Sequence, residues 1–325
     1  MKSIYFVLIT AAVIIAIQFF DEKETTGSST NKENYAIVIH GGAGFMNKEI
    51  HDSVKQLYMK SLESALKLGK DILEKGGSSL DAVESVVKFL EDDSLFNAGR
   101  GAVFTSAGTH ELDASIMYGA DMTCGAVTGV KHIKNPIALA RLVKEKTRHV
   151  LLSGEGAEEF AKKMNVEIVD QNYFYTESSY QSLKRFEEKN KQGTVGCVAL
   201  DKNGNLSSAT STGGMTGKMP GRIGDSPLVN AGTYANNKTC AVSCTGTGEL
   251  FIRNTVAYNI SALMEMKNMT LQQAAEEMIN KRLEKGTGGL IAVDKDGNIV
   301  MIYNTGSMLR AAADSEGKFE IKIWE

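Results

Sequence analysis

The sequence predicts an α+β fold with helices laid outside packed β-sheets. Two stretches of helical apolar rhythm follow one another between Ser53 and Leu90, and two more lie near the far end, from Leu250 to Met264 and from Thr270 to Leu283. Between and after them come short apolar runs joined by glycine turns, two of which share an Asp-Lys-x-Gly-Asn pattern. Helices, then strands, then helices is the order expected when helices cover sheets. With 325 residues and 42% hydrophobic content, the chain can bury a sizeable core as one large or two medium domains.

The elements follow in chain order. Lys2 precedes an apolar run from Ile4 to Phe20 that Asp21-Glu22-Lys23-Glu24 ends. Residues 1–20 read as a hydrophobic signal peptide or signal anchor, and 21–34 as a polar spacer. The expected product is therefore exported: periplasmic, secreted, or anchored with its N-terminal segment against a membrane. The folded domain is expected over 35–325. It starts with a strand, Tyr35 to His40, that Gly41-Gly42-Ala43-Gly44 ends.

Leu57, Leu62, Ala65, Leu66, Leu68 and Ile72 mark a first helix, closed by Gly76-Gly77; Ala82, Val83, Val86, Val87 and Leu90 mark a second after Ser79. Strands are expected at Ala102–Thr105, Glu111–Met117, Cys124–Val130 and Val150–Leu152. Helices are expected after Asn135-Pro136 and from Glu155 to Met164. From Ile168 to Gly193 the polar composition suggests an exposed connector. Val195–Leu200 and Leu206–Thr210 then read as a hairpin, as do Gly289–Val293 and Ile299–Tyr303.

Composition narrows the function. The formal charge is -3 with no basic stripe, which gives a nucleic-acid role no support. No glycine motif of the dinucleotide or P-loop kind is present. Cys124, Cys197, Cys240 and Cys244 lack the histidines or further cysteines of a zinc site and read as buried thiols.

The chemistry gathers in the second half. Gly193-Thr194-Val195-Gly196 puts a hydroxyl at the mouth of an apolar strand. A threonine inside a chain is a poor nucleophile; as an N-terminal residue it has its own α-amine as base. Glycine at 193 permits the close backbone geometry that cleavage before Thr194 requires. In Ser211-Thr212-Gly213-Gly214, Thr212 is placed to hydrogen-bond Thr194 and pass its proton. Arg222 and Asp225, three apart in a glycine-flanked turn, would grip the α-carboxylate and α-ammonium of an amino acid. Thr245-Gly246-Thr247-Gly248 would offer a hydroxyl and N–H groups to an oxyanion. Asn97 would face the same site, positioning substrate or donating to an oxyanion, and His40 is left without a role.

These motifs, together with His40-Gly41-Gly42-Ala43-Gly44, Leu95-Phe96-Asn97-Ala98-Gly99-Arg100-Gly101 and Glu111 to Met117, closely resemble the plant-type L-asparaginase/isoaspartyl peptidase family of N-terminal nucleophile (Ntn) hydrolases. The resemblance implies a four-layer αββα sandwich. It implies self-cleavage between Gly193 and Thr194 into an α fragment, 35–193, and a β fragment, 194–325, assembled as a dimer of αβ heterodimers. It assigns Thr194 as nucleophile, Thr212 beside it, Arg222 and Asp225 as substrate clamp, Thr245 and Gly246 as oxyanion donors, and Gly248 as pocket lining. It needs no catalytic cofactor, but it implies a structural sodium ion held by backbone carbonyls near Leu90, Asp93 and Phe96. The expected substrates are isoaspartyl dipeptides and L-asparagine. The alternatives are a glycosylasparaginase, which usually has aspartate where this chain has Gly193, and a non-enzymatic, membrane-tethered binding protein with a dormant site.

Overall fold

The computed structural model describes residues 34–44, 46–185 and 193–325. They fall in one compact unit, Glu33–Glu325. The elements are β1 (Ala36–Gly44), α1 (Asp52–Glu74), α2 (Ser79–Asp92), β2 (Leu112–Tyr118), β3 (Cys124–Val130), α3 (Pro136–Lys146), β4 (Leu151–Ser153), α4 (Gly154–Lys163) and α5 (Glu177–Lys184). After the Gly193–Thr194 junction come β5 (Val195–Leu200), β6 (Leu206–Thr212), β7 (Thr233–Ala235), β8 (Cys240–Gly246), α6 (Gly248–Asn254), α7 (Val256–Lys267), α8 (Leu271–Glu276), β9 (Gly288–Asp294), β10 (Ile299–Tyr303), β11 (Ser307–Asp314) and β12 (Phe319–Lys322).

Two sheets stack. The larger has eight strands in the order β12-β11-β1-β5-β6-β2-β3-β4, the smaller four in the order β10-β9-β8-β7. Both are antiparallel except for the β3–β4 pair. The period-2 alternation of side chains explains the layering. Along β1, Ile37 and Ile39 join the core under α1, α2 and α3, whereas Ala36 and Val38 face the small sheet. Along β5, Val195, Cys197 and Ala199 point to the helices, and Val198 and Leu200 to the small sheet. Ile260 of α7 and Ala274 of α8 cover the far side of the small sheet. The architecture is the αββα sandwich of an Ntn hydrolase.

Three hairpins turn in the same way. Asp201 Oδ1 accepts the N–H groups of Asn203 and Asn205, Asp294 Oδ1 those of Asp296 and Asn298, and Asp314 Oδ1 those of Glu316 and Lys318. In each, the glycine (Gly204, Gly297 or Gly317) has positive φ, which explains the repeated Asp-x-x-Gly pattern.

Several expectations are corrected. Ala102–Thr105 forms no strand; only Thr105 makes an isolated bridge, to Lys218. The segment after Ile168 is more than a connector: Phe174 is fully buried, and Phe104 stacks edge-on with Tyr175 and Tyr180, which seats α5 on the domain. The helix expected from Leu250 to Met264 breaks at Thr255, whose φ of 46° is left-handed. The membrane-anchored option is also withdrawn. Among the described residues no helix is long and apolar enough to cross a membrane. The 23-residue α1 has the length, but Lys60, Glu63, Lys67 and Lys70 stripe its outer face. The apolar run in 1–20 and almost all of the spacer lie outside the described residues.

Candidate active site

Thr194 stands at the mouth of β5, the strand at the centre of the large sheet, with β1 on one side and β6 on the other. The register of Val195 against Ser211 sets Thr194 beside Thr212. The chain is continuous through Gly193–Thr194, and a short polar relay surrounds that bond. The Thr194 hydroxyl donates to Thr212 Oγ1 at 3.2 Å, and the Thr212 hydroxyl donates to the Gly193 carbonyl at 3.0 Å. The Gly214 N–H holds Thr212 Oγ1 from the other side at 2.9 Å.

Asn97 completes the grip. Its Nδ2 donates to the carbonyls of Gly193 and Gly214, both at 2.7 Å, while its Oδ1 accepts the Val103 N–H at 2.9 Å. The Gly193 carbonyl thus receives two donors. The glycine run after β1 comes close for a steric reason. A bulge shifts the β1 register between His40 and Gly42, and Gly42 has a φ of +113°. A Cβ on Gly42 would sit 3.1 Å from Gly193 Cα and 3.4 Å from Thr194 N. Only glycine fits against the junction.

Thr245 and Gly246 end β8, across the sandwich from β5. Thr245 is fully buried, and its Oγ1 accepts the Ala43 N–H at 3.2 Å, which leaves its own proton to donate. Gly246 has a φ of +149°, and a Cβ there would strike the Thr287 carbonyl at 2.3 Å.

Around the two residues expected to clamp substrate, the fold adds partners. Arg222 is bound by Glu249, which takes its Nε at 2.9 Å and one Nη at 2.8 Å. Glu249, in the first turn of α6, is a residue that sequence reasoning missed; only a guanidinium needing a partner in the fold exposes it. Glu249 uses one edge of the guanidinium fork and leaves the Nη1 edge open, facing Gly214 and Gly224. Asp225 lies close by but buried, and among the described residues its Oδ2 has no partner. Burial pushes its carboxyl up to about 7, against the pull of Arg222. Gly248 sits between the two, since a Cβ there would be 2.9 Å from Asp225 Oδ1 and 3.0 Å from Arg222 Nη2.

His40 also acquires a place. It is fully buried, and desolvation lowers its pKa to about 3, so the ring is neutral. Its Nδ1 donates to the Thr194 carbonyl at 2.9 Å, and its Nε2 meets Ser243 Oγ at 2.9 Å. From Ser243 the contacts run to Thr210 at 2.7 Å, whose Oγ1 in turn accepts the Thr233 hydroxyl at 2.6 Å. This hydroxyl network between the sheets holds the main chain of Thr194 in place. A second missed feature is Lys218, buried 3.9 Å from Asp113 Oδ2 and donating to the Glu111 carbonyl at 2.8 Å. The four cysteines are free thiols, three of them buried. Among the described residues no group of His, Cys, Asp or Glu is placed to hold a metal.

Comparison with known proteins places this arrangement. The Asparaginase family model (Asparaginase_2) matches residues 33–323. An isoaspartyl peptidase of Escherichia coli is 48% identical over 293 residues, covering 85% of this chain and 91% of that protein. A probable isoaspartyl peptidase/L-asparaginase of Arabidopsis thaliana is 43% identical, covering 90% of this chain and 99% of that protein. The human isoaspartyl peptidase/L-asparaginase is 43% identical, covering 89% and 96%. With its sandwich fold and a threonine at the head of the central strand, the chain belongs to the isoaspartyl peptidase/L-asparaginase family.

Proposed function

We propose that this chain is a self-cleaving threonine hydrolase of β-aspartyl amide bonds, acting on isoaspartyl dipeptides and L-asparagine. The observation that carries this reading is the relay from the Thr194 hydroxyl through Thr212 to the Gly193 carbonyl, which Asn97 also holds. In the precursor, the Thr194 hydroxyl attacks the Gly193 carbonyl carbon. Asn97 and Thr212 donate to the oxygen as it gains charge, and the bond to the Thr194 nitrogen breaks. That nitrogen takes up the proton the hydroxyl loses, which frees the Thr194 amine, and hydrolysis of the resulting ester then releases the hydroxyl and leaves fragments 35–193 and 194–325.

That amine, with a reference pKa of roughly 8, is a usable base near neutral pH. In catalysis it takes the Thr194 hydroxyl proton as the oxygen attacks the side-chain carbonyl of the substrate. Thr245 and the Gly246 N–H stabilise the oxyanion. The open edge of Arg222 holds the α-carboxylate, and Asp225 receives the α-ammonium. The Thr194 ammonium returns its proton to the leaving nitrogen, and water then releases aspartate from the β-aspartyl ester.

Two further expectations belong to this reading. The first is the sodium ion. Carbonyl oxygens crowd the turn after α2: Cβ atoms on Gly99 and Gly101 would lie 2.3 Å from the Glu91 oxygen and 2.0 Å from the Phe96 oxygen. The resemblance would place the cation near Leu90, Asp93 and Phe96, held by backbone carbonyls. The ion would stiffen the loop that carries Asn97 and take part in no bond change. The second is assembly as a dimer of αβ heterodimers, which rests on the family resemblance.

The test is intact mass and N-terminal sequencing after incubation at neutral pH, followed by assays on β-aspartyl-leucine and L-asparagine. A fragment beginning at Thr194 and release of aspartate are expected; one persistent uncut chain would overturn the reading. For the oxyanion role, Thr245→Ala should lower kcat about 100-fold, the loss of one donor worth roughly 3 kcal/mol in the transition state. Near-normal kcat in the matured variant would remove Thr245 from that role.

A further inference from the structure

The ladder between β1 and β5 runs from Ala36–Leu200 to His40–Gly196 and stops there, because β1 bulges between His40 and Gly42. A regular antiparallel ladder would set Gly42 opposite Thr194. Gly42 instead packs against Gly193 and the Thr194 nitrogen, and the donor that reaches the Thr194 carbonyl is a side chain, His40 Nδ1. The sequence makes room for it. A Cβ at residue 196 would lie 2.1 Å from Ser243 Oγ and 2.3 Å from His40 Nε2, so the glycine of Thr194-Val195-Gly196 leaves the space in which the ring and this serine meet.

The protons give this row of side chains a direction. A carbonyl only accepts, so the one proton of the neutral His40 ring is on Nδ1, and Nε2 is left as an acceptor. The Ser243 hydroxyl, 2.9 Å away, therefore donates to it. Ser243 Oγ then accepts from Thr210, and Thr210 Oγ1 from Thr233. Ser115 Oγ closes the row 2.8 Å from Thr233 Oγ1. All of these side chains are fully buried between the sheets.

We infer that Ser243 is a positioning residue for the nucleophile: its hydroxyl, itself held by Thr210, locks His40 in the tautomer that grips the Thr194 carbonyl and so aims the Thr194 hydroxyl. The inference rests on the proposed function and deepens it. Before cleavage, Thr194 is held by peptide bonds on both sides. After cleavage its nitrogen is a free amine, and the residue joins the chain through its carbonyl alone. The direction of its hydroxyl then depends on what orients that carbonyl. Ser243 acts through His40 and not on substrate, so its loss is felt in maturation and turnover rather than in the clamp of Arg222 and Asp225.

The experiment is a double-mutant cycle. Ser243→Ala should slow the appearance of the Thr194 N-terminus about 10-fold or more, and lower kcat of the matured protein for L-asparagine about as much, with KM little changed. Ser243→Thr keeps the hydroxyl and should restore both rates. His40→Asn puts an amide N–H where Nδ1–H stands and needs no tautomer, so adding Ser243→Ala to it should change either rate by less than about 2-fold. Histidine-selective nitrogen NMR of the parent should show His40, identified by its absence from the His40→Asn spectrum, with a proton on Nδ1 and none on Nε2; in Ser243→Ala the two forms should mix. An Nε2–H ring in the parent would overturn the inference even if a variant failed to fold. Unchanged rates in Ser243→Ala would overturn it too, as would equal losses from Ser243→Ala in the parent and in His40→Asn. A parent chain that stays uncut, or is cut and hydrolyses nothing, is a different result: it brings down the proposed function itself.

Discussion

Thr194→Ala is expected to give one uncut chain that folds normally and hydrolyses neither asparagine nor β-aspartyl-leucine, with a loss of at least about 10⁴-fold. Two functions should vanish together, because in the proposed mechanism one hydroxyl serves both. Without Oγ1, nothing attacks the Gly193 carbonyl that Asn97 and Thr212 hold, and no Thr194 amine is ever released. Thr194→Ser keeps the hydroxyl and should still mature, more slowly, because serine lacks the methyl group that restricts the rotamer facing Thr212. Gel mobility and fragment mass follow the first function, and aspartate release follows the second. An alanine variant that still splits before residue 194 would sink the assignment of the nucleophile.

Asp225→Asn should weaken substrate binding about 30-fold or more, since it leaves the substrate ammonium buried without its counter-charge. The pH dependence gives a sharper test. Burial raises the carboxyl from 3.8 to about 7, and only the ionised form receives an ammonium. Inhibition by L-aspartate should therefore weaken as pH falls below about 7, with no matching loss for succinate, which lacks the amine. This comparison separates Asp225 from the Thr194 amine, whose own titration affects turnover. Stability should move the other way. The folded chain keeps a proton on Asp225 that the unfolded chain releases between pH 3.8 and about 7, so this group makes the fold less stable as pH rises through that window. An asparagine side chain at this position cannot ionise and escapes the effect: the Asp225→Asn variant should melt higher than the parent at pH 8, with the difference closing near pH 4. A variant less stable than the parent at pH 8 would contradict the picture of a strained, buried carboxylate kept for binding.

Much of this was legible in the order of residues. The strand Tyr35–His40, the helix pair under Leu62 and Val83, and the hairpins around Asp201 and Asp294 depend on local periodicity and turn chemistry. Those are properties of a few neighbouring residues. The strands β7, β11 and β12 were not legible. Ser307–Asp314 is an alanine-rich run with no alternation, and it becomes a strand because β1 supplies its partner groups. The break at Thr255 was hidden for a similar reason: helical apolar spacing continues through it, while the main chain turns left-handed there to join α6 and α7.

The site divides along the same line. The sequence by itself determined the chemical types and their order: a threonine after glycine, a second threonine before paired glycines, an arginine and aspartate in a turn, and a threonine-glycine pair at a strand end. Those are short-range patterns, readable without coordinates. Only the tertiary structure decided the partners. Glu249 occupies one edge of Arg222, His40 fastens the Thr194 carbonyl and is itself held by Ser243, which Thr210 contacts, and Met46, Leu309 and Leu95 line one cavity beside Gly193. Each of these contacts joins residues far apart in the chain. Their distances follow from strand register and from the stacking of two sheets, and no local pattern encodes either.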